Sequence, residues 1–491
     1  MNESTALTAL HTFRHALYGC FERRADALMD LTDALLTAEP VLSPVHLSQE
    51  AVHRRGWGSL YAALAQGRVN SPALRQLLAQ YPLAEGQPIY AVDCSVWARC
   101  AAATSPQRGY YYHSSRHSGG VPVVAGWSYQ WISQLSFRRD SWTAPVDVQR
   151  VPRTTDVNTA AATQIKALLA RVPAGRPVPL CVFDAGYDPV QLALDLDGVA
   201  AATLVRLRKD RCFYADPDPA TVARTGRPPQ HGHKFDCTRP TMWPVPSAEL
   251  RTEDPQYGTV RVRAWAGLHP KQQNHAARGT RKTRPVVRGP LILVEVSRLP
   301  GPPRPWQQLW LWWAGLGMPD LDVRWRAYIR RVDEEHTFRF LTQVLNWTLP
   351  RVRHPAQADR WTWLVLAAYT HLRLAAACVQ DRRLPWERPR REERMLSPYR
   401  VRRAFSALLL IVGTPANAPK PCGRSPGAAQ RPPVRAGATP SRGQDDAHEA
   451  LTGPKAAPSA WRPPRRAPSL LRTIDLRISL ATGIVATSGP V

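Results

Sequence analysis

Apolar residues near the start of the chain recur at helical spacing. LTALHTFRHALYGCF (7–21) and SPALRQLLAQY (71–81) each present one apolar face. Between them VHRRGWGSLYAALAQGRV (52–69) predicts a basic, glycine-punctuated hairpin of helices. Residues 1–85 therefore read as a helical unit, either a small packing subdomain or, from its charge and position, a module that binds DNA ends. From residue 88 the pattern changes. PIYAVDCSVW, VPVVAGWSYQWISQLSF and APVDVQRV are rich in Val, Trp and Tyr with partial alternation, which predicts three strands. A helix over TAAATQIKALLARV follows, with Asn158 as its expected N-cap. LCVFDAGYDP predicts a strand that stops at an acid, VQLALDLDGV a helix, and AATLVRLRKDRCFY a further strand. That order specifies a mixed α/β sheet.

Residues 208–300 break the pattern with many prolines, GRPPQHGHKFDC and TVRVRAWAGLHPKQQNH. They read as an inserted β-rich segment rather than a continuation of the sheet. LILVEVSRL and WQQLWLWWAGL return to strand-like composition, YIRRVDEEHTFRFLTQ (328–343) begins a helix, and WTWLVLAAYTHLRLAAACV forms another. The expected division is a helical unit at 1–85, a core at 86–207 and 301–412 around the insertion, and a tail at 413–491. The tail is so rich in Pro, Gly, Ala and Arg that disorder is expected.

Charge narrows the partner. Among 491 residues, 65 Lys and Arg face 38 Asp and Glu, a formal charge of +27. Such an excess favours a polyanion, and double-stranded DNA is the first candidate. No run of about 18 apolar residues predicts a membrane span, and the N-terminus lacks a signal core, so a cytoplasmic, nucleoid-associated protein is expected. Eight cysteines without a C-x-x-C pair exclude a zinc ribbon or redox motif. Arg382–Arg403 holds nine Arg against three Glu. It is either a DNA-backbone surface, with Trp386 available to stack on a base, or a solvated face. The Trp-rich WQQLWLWW is expected in the core.

Phosphodiester chemistry directs attention to acids. Hard Mg²⁺ takes carboxylate oxygens, and two ions about 3.5–4 Å apart can clamp the attacking and leaving oxygens. Asp93 ends IYAVD and Asp184 ends LCVFD, so each carboxylate should emerge at a strand end. Asp188, past a glycine, is expected to orient the turn. Of the acids Asp333, Glu334 and Glu335, a helical wheel places Glu334 in the apolar arc of Phe338, Leu341, Val344 and Leu345. Glu335 falls on a polar stripe with Arg331, Arg339, Thr342 and Asn346. There the flanking arginines can keep it ionised and meet phosphate. Alone, that stripe equally describes a surface helix.

Taken together, Asp93, Asp184 and Glu335, with a β-rich insertion between the last two, resemble the DDE transposases of bacterial insertion sequences. One large branch carries the signature Y-x2-R-x3-E-x6-K. Tyr328, Arg331 and Glu335 match it, while the lysine position is Thr342. YAVDCSVW, CVFDAGYD, EEHTFRFL and ADRWTWLVLAAY extend the resemblance over about residues 10–427. It implies a ribonuclease-H-like fold in which Asp93, Asp184 and Glu335 bind two Mg²⁺ ions (or Mn²⁺). Water would cut the element's end, and the freed 3′-hydroxyl would attack target DNA in line. It further implies phosphate contacts from Tyr328, Arg331 and Arg339, a weakened one from Thr342, and a homodimer on DNA. The alternatives are an inactive remnant that only binds DNA, or a nuclease without strand transfer. Such relatives continue after SPG with a basic RPKG-like run. Suitable GC-rich codons for the stretch after Gly427 encode such a run one frame over, so a frameshift there is expected to leave 428–491 without a selected fold.

Overall fold

The structure, a computed structural model, describes residues 3–41, 43–83, 86–112, 122–138, 140–172, 175–218, 229, 231–271, 274–277, 280–283, 285–299, 307–387 and 395–420. Apart from Lys420 these belong to one compact unit, Met1–Pro419. The tail beyond 420, with the frameshift reading, lies outside the described residues.

The first part is helical: α1 (Glu3–Gly19), α2 (Ala25–Thr37), α3 (Pro44–Leu47), α4 (Trp57–Gln66) and α5 (Ser71–Ala79), with a short pair β1 (Phe21–Arg23) and β2 (Arg68–Val69). Next come β3 (Ile89–Ala98), β4 (Gly109–Tyr112), β5 (Val123–Leu135) and β6 (Ala144–Val151). They are followed by α6 (Val157–Leu169), β7 (Leu180–Phe183), α7 (Pro189–Asp195) and β8 (Ala202–Leu207). The α6 N-cap is Asp156, not Asn158. Asp156 Oδ2 accepts from the amides of Asn158 and Thr159, while the Asn158 side chain accepts from the Asp188 amide. Asp caps as well as Asn, and here it sits at the extended residue where the chain enters the helix.

Strands β9 (Cys212–Tyr214), β10 (Lys234–Asp236), β11 (Ala248–Asp254), β12 (Gly258–Pro270), β13 (Asn274–Ala277), β14 (Thr280–Thr283), β15 (Gly289–Val296) and β16 (Gln307–Ala314) fill the next segment. Helices α8 (Leu321–Arg330), α9 (Val332–Gln343), α10 (Pro355–Ala375) and α11 (Pro398–Val412) complete the unit. The expectation that 208–300 leaves the sheet is overturned. One 12-stranded sheet runs β10-β9-β12-β15-β16-β8-β7-β3-β5-β4, with β11 on β12 and β6 on β5. Strand β16 is the joint: Trp310–Ala314 pair with Leu207–Thr203 of β8, and β12 and β15 extend the ladder outward. Proline density obscured this although most of the described prolines fall in connections, while GTVRVRAW alternates and LILVEV is a nearly continuous apolar run. Trp310, Trp312 and Trp313 are buried, as the sequence suggested.

In the middle of the sheet the order is β6-β5-β3-β7-β8. Strands β3, β5 and β6 pair antiparallel, and β3, β7 and β8 pair parallel. Alternation divides the parallel strands between two faces. Val92, Phe183 and Val205 pack with Ile165 and Leu192 of α6 and α7. Ala91, Val182 and Leu204 pack with Trp325 and Tyr328 of α8. A separate cluster joins α1, α2, α4 and α5 to α9, α10 and α11 through Leu10, Leu28, Leu35, Leu364, Leu372 and Phe405. The N-terminal helices thus share a core with the helices that follow the sheet.

Candidate active site

The site forms where the parallel pairing ends. Val92 pairs with Phe183 and Phe183 with Val205; the next residues are Asp93, Asp184 and Arg206. By alternation these three project from neighbouring strands toward the α8 side, with strands about 4.8 Å apart. Asp184 does end its strand. Asp93 does not: β3 continues to Ala98 along β5, so Asp93 lies mid-strand but at the level where its parallel partner stops.

YIRRVDEEHTFRFLTQ is not the start of one helix. Asp320 caps α8 by accepting from the amides of Asp322 and Val323. The helical path breaks at Arg331, and α9 begins at Val332. Tyr328 thereby lies in the last turn of α8, Arg331 occupies the junction, and Glu335 lies in the first turn of α9, where the helix dipole favours an acid. The break aims Arg331 into the sheet. Its guanidinium stands 2.9 Å from Asp93 Oδ2, 3.0 Å from Glu335 Oε1 and 3.7 Å from Asp184 Oδ2. The three acids singled out from the sequence therefore meet around one cation.

Electrostatics follow from this crowding. Burial pushes the Asp93 carboxyl up to about 6; Arg331 opposes that shift, and Asp184 and Glu335 reinforce it. The surrounding carboxylates hold Arg331 firmly protonated despite its burial. The other two acids of α9 behave differently. Glu334 is fully buried, accepts from Ser133 Oγ at 2.8 Å, and burial raises it to about 8. Asp333 is buried against Arg330 at 2.7 Å, and burial raises it to about 7. Glu335 alone is half exposed, with 52% of its side chain accessible. This division matches the helical wheel.

The remaining candidates separate. Asp188 caps α7, accepting from the Val190 and Gln191 amides, and is a turn residue as expected. Arg339 is exposed, without an ion pair among the described residues. Thr342 donates its hydroxyl to the carbonyls of Phe338 and Arg339 at 2.7 and 3.2 Å, so it is turned onto its own helix. Arg206 was not anticipated. It lies near Tyr328, whose hydroxyl its charge favours ionising, and a lone arginine inside the apolar run ATLVRL was the available signal.

Several described arginines of the basic segments are engaged within the protein. Arg54 and Arg55 bind Asp30 and the carbonyls of Ala416 and Asn417. Arg400 and Arg403 pair with Asp381 and Glu387, and Arg402 donates to Leu35 and Ala38 carbonyls. Trp386 is 72% exposed, and residues 388–394 of this segment lie outside the described residues.

A family model described as DDE superfamily endonuclease matches residues 16–271, just over half of the chain. The chain belongs to the DDE superfamily of endonucleases. The match includes Asp93 and Asp184 and ends before Glu335. No curated protein matches the chain significantly. Membership implies nuclease- or transposase-type activity with DNA as substrate, and enzymes of this superfamily generally use divalent metal ions. The donor chemistry suits such ions, since three carboxylates offer hard oxygens. The arrangement does not: the acids are spread around a guanidinium, and no group of three or more His, Cys, Asp or Glu among the described residues could hold a metal ion. No helix among the described residues is long and apolar enough to cross a membrane.

Proposed function

We propose that this DDE endonuclease is the transposase of a bacterial insertion sequence, cutting the element's ends and joining the 3′-hydroxyl to target DNA. The observation that carries the reading is the convergence of Asp93, Asp184 and Glu335 on Arg331. Three acids from two strands and a helix, over 240 residues of sequence apart at the extremes, have no folding reason to meet. Each adds repulsion that one cation only partly offsets. The central order β6-β5-β3-β7-β8, with helices after β6 and β7, supports a ribonuclease-H-like core.

In this reading Asp93, Asp184 and Glu335 are the residues that would hold two Mg²⁺ or Mn²⁺ ions, which requires Arg331 to leave the place it occupies between them here. Bound there, the ions would polarise the scissile phosphate and ready a water for attack. Asp93, at about 6, is largely ionised at neutral pH and can serve as a ligand. Arg331 and Tyr328 lie beside the acids and would meet phosphate oxygens; Arg339, exposed one turn beyond Glu335, would meet DNA further along. The helical N-terminal segment would contact element ends, with two copies of the chain on DNA.

Duplexes spanning the DNA that brackets the gene test this. Mg²⁺-dependent nicking that leaves a 3′-hydroxyl, followed by its joining to a plasmid, is the expected result. Nicking should vanish in Asp93→Ala, Asp184→Ala and Glu335→Ala while DNA binding persists. A second reading, a remnant that binds without cutting, draws on Thr342, which supplies no charge at the signature lysine position. Wild-type binding with no nicking would select it, and nicking without joining would select a nuclease. Sequencing the gene checks the frameshift: no frame encoding an RPKG-like run after Gly427 would exclude it.

A further inference from the structure

We propose that Arg206 is the cation that holds the scissile phosphate in this centre, in place of the charge that Thr342 lacks. The inference rests on the endonuclease reading above.

Register is the first support. Asp93, Asp184 and Arg206 occupy the same level on three adjacent parallel strands, each following residues paired in register. At about 4.8 Å per strand, Arg206 is the immediate neighbour of Asp184 and lies two strands from Asp93. Alternation turns all three to the face covered by α8, away from the Val92, Phe183 and Val205 packing.

Partnering is the second. Arg331 is surrounded by three carboxylates, so its charge is compensated within the protein. Arg206 has no ion pair with a carboxylate among the described residues. The group beside it is Tyr328, whose neutral hydroxyl leaves the guanidinium charge uncompensated. Arg206 is partly buried on its strand, so its head is held near the sheet while remaining open to an outside group. A phosphate seated beside Asp184 would be that group, and a planar guanidinium can bind it through two N–H donors.

Geometry at position 342 is the third. The Thr342 hydroxyl is bonded back to α9, so neither its charge nor its orientation serves a phosphate. Tyr328 joins the two ideas, because the signature tyrosine lies beside Arg206.

The test is the salt dependence of duplex binding, measured by fluorescence anisotropy over a KCl series without divalent ions, so that no cutting intervenes. Arg206→Gln should weaken binding about tenfold and make the log–log slope shallower by about 0.9, the loss of one phosphate contact. Arg206→Lys should keep the slope. Thr342→Lys added to Arg206→Gln should restore it, which a purely structural role for Arg206 would not allow. Unchanged affinity and slope in Arg206→Gln overturn the proposal. So does a loss that neither lysine restores and that accompanies a lower Tm. Nicking with Mg²⁺ is scored separately: a wild-type protein that binds with the Arg206-dependent slope but never nicks refutes the endonuclease reading and leaves the phosphate contact standing.

Discussion

Two acid–arginine clusters in this protein look alike in sequence and differ in what they are for. In the first, Asp26, Asp30 and Asp33 on α2 meet Arg14, Arg54 and Arg55. Charges balance, and surplus N–H groups donate to the carbonyls of Gly413, Ala416 and Asn417. Asp30 and Asp33 are buried, so this cluster fastens the chain after α11 to the N-terminal helices. In the second, Asp93, Asp184 and Glu335 share the single Arg331, with Asp184 and Glu335 partly open to solvent. A closed, neutral cluster is a fastening. An open cluster with an excess of one sign is left for something else to complete.

The largest contrast should come from removing acids. Asp93→Ala, Asp184→Ala or Glu335→Ala should each take nicking to background without lowering Tm, because each relieves repulsion around Arg331. A fall in Tm comparable to that of a core truncation would put this cluster in the first class. Next, Arg14→Ala leaves Asp33 buried and unpaired and should cost about 3–5 kcal/mol in chemical denaturation. A change under about 1 kcal/mol would mean that the helical fastening contributes little.

A third prediction concerns pH. Glu334 has its carboxyl raised to about 8 by burial, so the folded state binds its proton more tightly than the unfolded chain does. Its contribution is complete at low pH and is lost as pH rises toward about 8. Glu334→Gln should therefore gain Tm relative to wild type progressively between pH 5 and 8. A difference that stays constant with pH would show that Glu334 is ionised throughout. The smallest effect is expected of Thr342→Ala, within about 0.5 kcal/mol of wild-type stability, since its hydroxyl bonds only its own helix.

Particular residues show how far the sequence could be read. Glu335 was distinguishable from Glu334 because a 3.6-residue period decides which side of a helix meets the core, and that is local. Asp184 was legible as the end of a short apolar strand. Asp93 was selected for the wrong reason, since its strand continues; only the end of the pairing with β7 marks its level. The continuation of the sheet through β16 into β15 and β12 was hidden, because the pairing of β16 with β8 joins residues about 100 positions apart and leaves no periodic trace. For the basic segments, composition left open which arginines face solvent. Charge counts cannot tell a guanidinium facing solvent from Arg402, which is 4% exposed and bound to backbone carbonyls.

The sequence by itself determined most of the stretches that become helix and strand, that Asp184 follows a short apolar strand, that Glu335 lies on a polar helical stripe, and a charge excess that favours a polyanionic partner. These follow from side-chain period and composition. Only the tertiary structure decided that Arg331 lies between three carboxylates, that Arg206 stands level with Asp93 and Asp184, and that Arg54 and Arg55 serve the fold. Those facts depend on register between strands and on the break between α8 and α9, where residues distant along the chain are brought within a few ångströms.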